Sequence, residues 1–343
     1  MTQHTLLKLI KKVNKTHKGL GPMIAMNLIA AKAHKCILNV APAGCGKSVS
    51  TNTVAYLLKD RAKQYLSITL AGLIRIADEI SEFSGAIIID DLGAEKSEWS
   101  RTATIEVLSH LTYAHHVDKI TQTSRIQISG FYGSAHLNIQ PVMMNSLVQA
   151  DSWVAVVRDK VIRYYHLYRP AKPKKSIPSI EIDFSMPITE VAPPKHKGRL
   201  WYQLIMIGLV QWSYARCLEH IPDMLRACAA LDGRQHVNLS DYRLLVKLMK
   251  PMQLERYILT SYSLEGARTF QNDLYCLLVE LASFGEPTLD TIAEDYKVHP
   301  ETVRRIAKSY PEWIWIKQNS PTRLCPTEWT QKVFKICGVN QRW

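Results

Sequence analysis

The run CILNV at Cys36–Val40 passes directly into APAGCGKS at 41–48 and then into the helical pattern SVSTNTVAYLLKD. No other part of the sequence restricts the possible folds as much. An apolar strand, a glycine-rich loop and a helix in that order place a turn where an anion can approach the backbone closely. Residues 41–48 match the spacing GxxxxGK[ST], except that Ala41 stands where the pattern has its first glycine. Each position has a physical task. Successive backbone N–H groups and a helix N-terminus point at phosphate oxygens, Gly46 allows close approach, and Lys47 adds a mobile positive charge. Ala43, Gly44, Cys45, Gly46, Lys47, Ser48 and Val49 are therefore the expected ligands of a nucleotide, with the Ser48 hydroxyl on its Mg2+ ion.

A second apolar strand, in GAIIIDDLGAEKS, ends in Asp90 and Asp91. A carboxylate at the tip of a neighbouring strand reaches hydrated magnesium, and a second one beside it orients or deprotonates an attacking water. Asp90 is assigned the metal and Asp91 the water, with Lys47 and Asp91 as catalytic residues. Short apolar runs at Cys36–Val40, 65–70, Ala86–Ile89, 126–129 and 161–167 alternate with helical periodicity. This alternation predicts an α/β fold with a parallel sheet flanked by helices on both faces.

The 343 residues exceed one ordinary core, and their formal charge of +13 favours polyanionic partners such as nucleic acid. Seven cysteines fall singly, without metal-ligand spacing, which predicts reduced thiols in a cytoplasmic, nucleoid or nuclear compartment. The most apolar run, 200–212, is interrupted by Gln203 and Gln211 and is too short to span a membrane, so no membrane association is expected. Residues 1–20 read as an amphipathic packing helix with Leu6, Ile10 and Val13 on one face, not as a signal peptide. Residues 170–198, rich in proline and lysine, read as an extended connector and loosely ordered strap between domains.

Helical spacing resumes over 199–262, with Leu218, Ile221, Leu225 and Cys228, then Leu244, Leu245 and Leu248. In the last segment, 263–343, TLDTIAEDYKVHPETVRRIAKSY carries two helices around a turn at Val298, His299 and Pro300. Leu289, Ile292 and Ala293 pack against Val303, Ile306, Ala307 and Tyr310. Thr302, Arg304, Arg305, Lys308 and Ser309 are left facing outward, types suited to phosphates and base edges in a major groove. The alternating EWIWIKQNSPTRLCPTEW predicts a two-stranded wing, with Lys317 and Arg323 on the phosphate backbone. Either Trp313 and Trp315 or Ile314 and Ile316 are expected to cover the helices.

The order of phosphate loop, second strand, acidic strand ending IDD and strand RIQIS resembles the AAA+ ATPases. The IDDLG form is similar to their helicase-loader, replication-initiator and transposition-ATPase branches. The resemblance implies an AAA+ core at 21–169, a helical lid at 199–262 and a winged helix at 263–343. It also implies a polar residue at the end of the fourth core strand near the terminal phosphate: Ser129, with Asn138 as second choice. The stretch HLNIQPVMMNSLVQADSWVAVVRDK is similar to one in the minichromosome-maintenance helicases, where a nearby arginine reaches a neighbouring subunit's nucleotide. Here it reads Met144, Asn145, Ser146, Leu147, leaving Arg125, Arg158 or Arg163 as substitutes. Arg216 takes the place of the lid arginine that folds back on bound phosphates. The function implied is a DNA-dependent ATPase, hydrolysing ATP to ADP and phosphate, in replication initiation or helicase loading. A homo-oligomeric ring and a helicase or other replication partner go with it. The alternatives are a helicase or translocase of the minichromosome-maintenance kind, and a nucleotide-gated regulator of transcription or transposition.

Overall fold

The computed structural model describes residues 4–92, 97–120, 125–150, 153, 158–170, 177, 181–261 and 268–343. The chain opens with α1 (Thr5–Asn14), which buries Leu6, Leu9, Ile10 and Val13 as one stripe. It continues into α2 (Leu20–Lys32), every residue of which is buried. Helix α2 has no polar face because α1 covers one side and the sheet and later helices cover the rest.

The elements that follow are β1 (Cys36–Val40), α3 (Lys47–Leu58), β2 (Ala62–Tyr65), α4 (Leu70–Arg75), α5 (Ala77–Ile80) and β3 (Ala86–Ile89). After them come α6 (Glu98–Ala114), β4 (Val117–Ile120), β5 (Arg125–Ile128), β6 (Ser134–Ile139), α7 (Pro141–Gln149) and β7 (Val161–Tyr165). Five strands form a parallel sheet in the order β2-β3-β6-β1-β7. The strand period of two sorts the core. Leu38, Val40, Ile87, Ile89, Leu137 and Ile139 face one way toward α6 and α7, while Ile37, Ile88, Ile162 and Tyr164 face α2 and α3.

Two strand expectations are corrected. The strand expected at 65–70 is β2 and ends at Tyr65; beyond it Thr69 caps α4 by accepting from Gly72 N. The strand expected at 126–129 is β5, which pairs antiparallel with β4 in a hairpin outside the sheet. Its residues alternate exposed and buried, whereas β6 is buried along its whole length, as a central strand of a parallel sheet must be. The fourth sheet strand is β6, whose His136 and Asn138 break the apolar run that sequence reading looks for.

The next helices are α8 (Arg199–Gly208), α9 (Tyr214–Ala230), α10 (Leu239–Met249) and α11 (Glu255–Ile258). Helices α8, α9 and α10 share a core with α1 and α2, while Ile258 of α11 lies in the other cluster with the sheet. A buried ion pair anchors them to the sheet: Arg163 of β7 donates to Glu255 at 2.7 and 2.9 Å, and the Tyr165 hydroxyl donates to the same carboxylate. Of the connector at 170–198, residues 171–176 and 178–180 lie outside the described residues. The remainder is held at Phe184 and Val191, although most of residues 181–198 are exposed. Phe184 is buried and its carbonyl accepts from Lys32, and Val191 packs on Ala229 and Ala230.

A short pair, β8 (Leu259–Ser261) and β9 (Arg268–Phe270), precedes α12 (Asn272–Phe284), α13 (Leu289–Tyr296) and α14 (Pro300–Lys308). The hairpin β10 (Ile314–Lys317) and β11 (Arg323–Pro326) and the helix α15 (Glu328–Ile336) follow. The two expected helices and the expected hairpin are thus present. A bridge from Thr288 to Arg323 ties the start of α13 to the hairpin. Trp313 is buried and meets Tyr257 and Trp329 edge to face, while Trp315 is exposed. The described residues of this last segment, 268–343, share the core of the sheet: Leu274, Tyr275 and Leu278 of α12 lie in one cluster with Val40, Cys45 and Tyr165.

Candidate phosphate-binding site

The loop between β1 and α3 is rooted at the C-terminal edge of the sheet, where Ala41 N donates to Ile139 O. Ala41 is fully buried there, so the position needs a small residue but not the conformational freedom of glycine. Gly44 and Gly46 do need it, with φ of 75° and 82°. Gly46 starts α3, whose N-terminus has no side-chain cap, so its first backbone N–H groups are available to an anion. The Cys45 thiol turns into the core. Burial pushes its pKa up to about 11, so it stays protonated and only its backbone serves the loop.

The Lys47 ammonium donates to Ala41 O at 2.6 Å and Pro42 O at 2.9 Å, folded against its own loop. Burial pulls its pKa below the ordinary lysine value, opposed by neighbours that include Asp91 and Asp90. The loop forms one wall of a cleft of about 500 Å3, a volume in the range of small-molecule sites. Ala43 to Val49, Asp90 and Asp91 all line it, together with His17, Leu20, Leu66, Gln140 and Pro170.

The sheet order explains how the acids arrive there. Strand β6 lies between β1 and β3, and Asp90 and Asp91 extend β3 past its end with their N–H groups on Tyr65 O and Leu66 O. By parity Asp90 falls on the α3 face, with Asn138 of β6 and Asn39 of β1. Asn138 donates to Asp90 Oδ1 at 2.9 Å and to Thr51 Oγ1 at 3.0 Å. Its own Oδ1 accepts from Asn39 Nδ2 at 3.1 Å, and Asn39 is bonded in turn to Asn27 of α2. His136 Nδ1 lies 2.8 Å from Asn27 Oδ1, so a buried polar chain runs along this face. It fixes which end of the Asn138 amide meets Asp90.

The structure separates the remaining expected residues. Ser129 is bonded to Ser81 and Glu82, just before β3 begins, and so lies at the opposite, N-terminal edge of the sheet. Ser129, the first choice, therefore stands away from the cleft, whereas Asn138, the second choice, touches Asp90. Arg216 also sits at the far edge. It donates to Glu219 and lies 4.1 Å over the Tyr113 ring, beside a cavity lined by Lys35 and Lys160, which precede β1 and β7. It does not reach the loop, because α9 packs on α2 and not over the cleft.

Among the substitute arginines, Arg163 is fully buried in its ion pair and Arg125 is paired bidentately with Asp118 across the β4–β5 hairpin. Arg158 gives its carbonyl to Arg163. The residues Met144 and Leu147 are buried, Asn145 accepts from Phe270 N, and Ser146 donates to Glu98.

On the C-terminal elements, Arg305, Lys308 and Ser309 are exposed, and Thr302 and Arg304 are half-buried, Arg304 beside Glu301. Lys317 lies 3.8 Å from the Glu286 carboxylate and Arg323 donates to the Glu286 carbonyl, so the wing cations lean on one turn. Sequence reasoning missed Arg169, which donates from Nη1 to Ala43 O of the loop at 2.9 Å. The signal was only a basic residue four positions past the end of a core strand. Among the described residues no group of three or more His, Cys, Asp or Glu is placed to hold a metal, and no helix is long and apolar enough to cross a membrane. No protein-family model matches the chain, and no curated protein matches it.

Proposed function

We propose that the chain is an ATPase of the AAA+ kind that uses magnesium and carries a C-terminal winged helix for duplex DNA. One observation carries the reading: β6 inserted between the loop strand and the acidic strand, with Asn138 donating to Asp90 beside the uncapped start of α3. The loop amides and Lys47 suit the phosphates of ATP. Ser48 and Asp90, on the same cleft, would hold the magnesium ion, a hard cation that takes a hydroxyl, a carboxylate and phosphate oxygens without a dedicated cage. The ion supplies neutralisation of charge on the phosphates. Asp91 orients the attacking water, and Asn138 holds Asp90 in place beside it.

The helix-turn-helix α13–α14 with its hairpin, and the exposed Arg305 and Lys308, support contact with a duplex groove. Replication initiation or helicase loading, in a homo-oligomer or ring, fits an ATPase that carries its own DNA reader. A helicase or translocase is the motor form of the same reading. A nucleotide-gated regulator with little turnover is favoured by the burial of Arg163, which removes one candidate for a subunit-crossing arginine. Steady-state ATP turnover should be measured with and without duplex DNA, in the wild type and in Lys47→Ala. DNA stimulation and its loss in the variant are expected; turnover indifferent to both changes removes the enzyme reading.

A further inference from the structure

The peptide unit joining Ala43 to Gly44 is held by a charge outside the cleft. Arg169 donates from Nη1 to Ala43 O at 2.9 Å, and a Cβ on Gly44 would stand 2.8 Å from the same nitrogen. Gly44 lines the cleft, and Arg169 is not among the described residues that do. In a trans peptide the carbonyl and the following N–H point to opposite sides. A donor fixed on Ala43 O therefore turns the Gly44 N–H away from Arg169 and toward the cleft. The same bond polarises the peptide and makes that N–H a better donor.

Arg169 is itself held by the C-terminal helices. Its Nε donates to Glu280 Oε1 of α12 at 2.9 Å, Nη2 lies 2.9 Å from the same oxygen, and Asp295 of α13 is 3.6 Å away. Its backbone N–H donates to Ser283 Oγ, and its guanidinium lies 5.2 Å over the ring of Tyr296, whose hydroxyl donates to Glu280. The Glu280 side chain is fully buried, so removing the guanidinium strands a carboxylate away from water. Nearby, the Tyr275 hydroxyl lies 2.7 Å from Val40 O and 2.8 Å from His166 O, which fastens α12 to the strand that leads into the loop.

We propose that Arg169 is a positioning residue of the phosphate loop, holding the Gly44 amide toward bound phosphate, and that Glu280 holds Arg169 in place. This rests on the nucleotide reading above and makes the C-terminal helices part of the nucleotide site. Glu280 acts on nucleotide only through Arg169.

The test is titration calorimetry of the full chain with MgATP, in the wild type, Arg169→Ala, Arg169→Lys, Glu280→Gln, the Arg169→Ala/Glu280→Gln double variant and Lys47→Ala. Loss of one charge-assisted orienting bond should weaken binding by about tenfold in Arg169→Ala. Arg169→Lys should recover part of the loss and Glu280→Gln should lose less. The double variant should bind no more weakly than Arg169→Ala alone, a non-additivity that general loosening of the fold does not produce. If Arg169→Ala does not fold, as a melting curve will tell, the near-isosteric Glu280→Gln and Arg169→Lys carry the test. Wild-type affinity in Arg169→Ala, or in both of those variants, alongside lost affinity in Lys47→Ala overturns this inference and leaves the nucleotide reading standing. A wild type that does not bind MgATP removes both.

Discussion

Asn138 shows what a single side chain can do when both ends of its amide are spoken for. Asn39 occupies its oxygen, so its nitrogen must face Asp90 and Thr51. Asn138→Leu keeps the volume and removes the donors. Turnover should fall by about a hundredfold, the scale of losing one preorganised donor, while MgATP affinity changes little. Single-turnover kinetics beside a binding titration separates the two. Stability should drop by about 1–3 kcal/mol, because one N–H of the buried Asn39 amide loses its acceptor. Lys47, Ser48, Asp90 and Asp91 were legible in the sequence because each belongs to a short local pattern. Asn138 was named only as a second choice and Arg169 not at all, because their roles depend on which strand lies beside β1 and on a helix more than a hundred positions downstream.

At the scale of elements, periodicity located α13, α14 and the β10–β11 hairpin, where one apolar stripe or alternation decides the state. It misplaced the fourth sheet strand. A central strand that carries Ser134, His136 and Asn138 on one face reads as polar, although every one of those groups is satisfied inside the fold. The exposed cations of α14 are not equivalent to those of the hairpin. Arg305 stands clear in solvent, whereas Lys317 and Arg323 lean on Glu286. Arg305→Ala should weaken duplex binding uniformly and lower the slope of log K against log salt by about 1. Fluorescence anisotropy across a salt series checks both, and Arg323→Ala should do less.

The molecule as a whole is less divided than its sequence suggests. Composition marks a connector and three regions, yet one apolar cluster runs from the central sheet through α12 into α13 and α14. Linear patterns reveal where polar stretches fall but not which apolar stripes share a core. Three buried histidines set the acid limit of this assembly. Burial holds His136, His166 and His220 down to about 3 from an ordinary 6.5. The unfolded chain therefore binds protons that the folded one refuses. The stability concerned is complete above 6.5 and declines as pH falls toward 3. Each group contributes a slope of roughly 1.4 kcal/mol per pH unit in that window. Calorimetric melts should give a lower midpoint at about pH 5 than at about pH 7.5.

The sulfur of Cys45 gives the loop a clock of its own. It is shut away from solvent and kept as the unreactive thiol, so an alkylating reagent must wait until the segment lifts from the core beneath it. Whatever clamps that segment down lengthens the wait, and the pace of a simple covalent reaction becomes a measure of how firmly the phosphate cradle is shut.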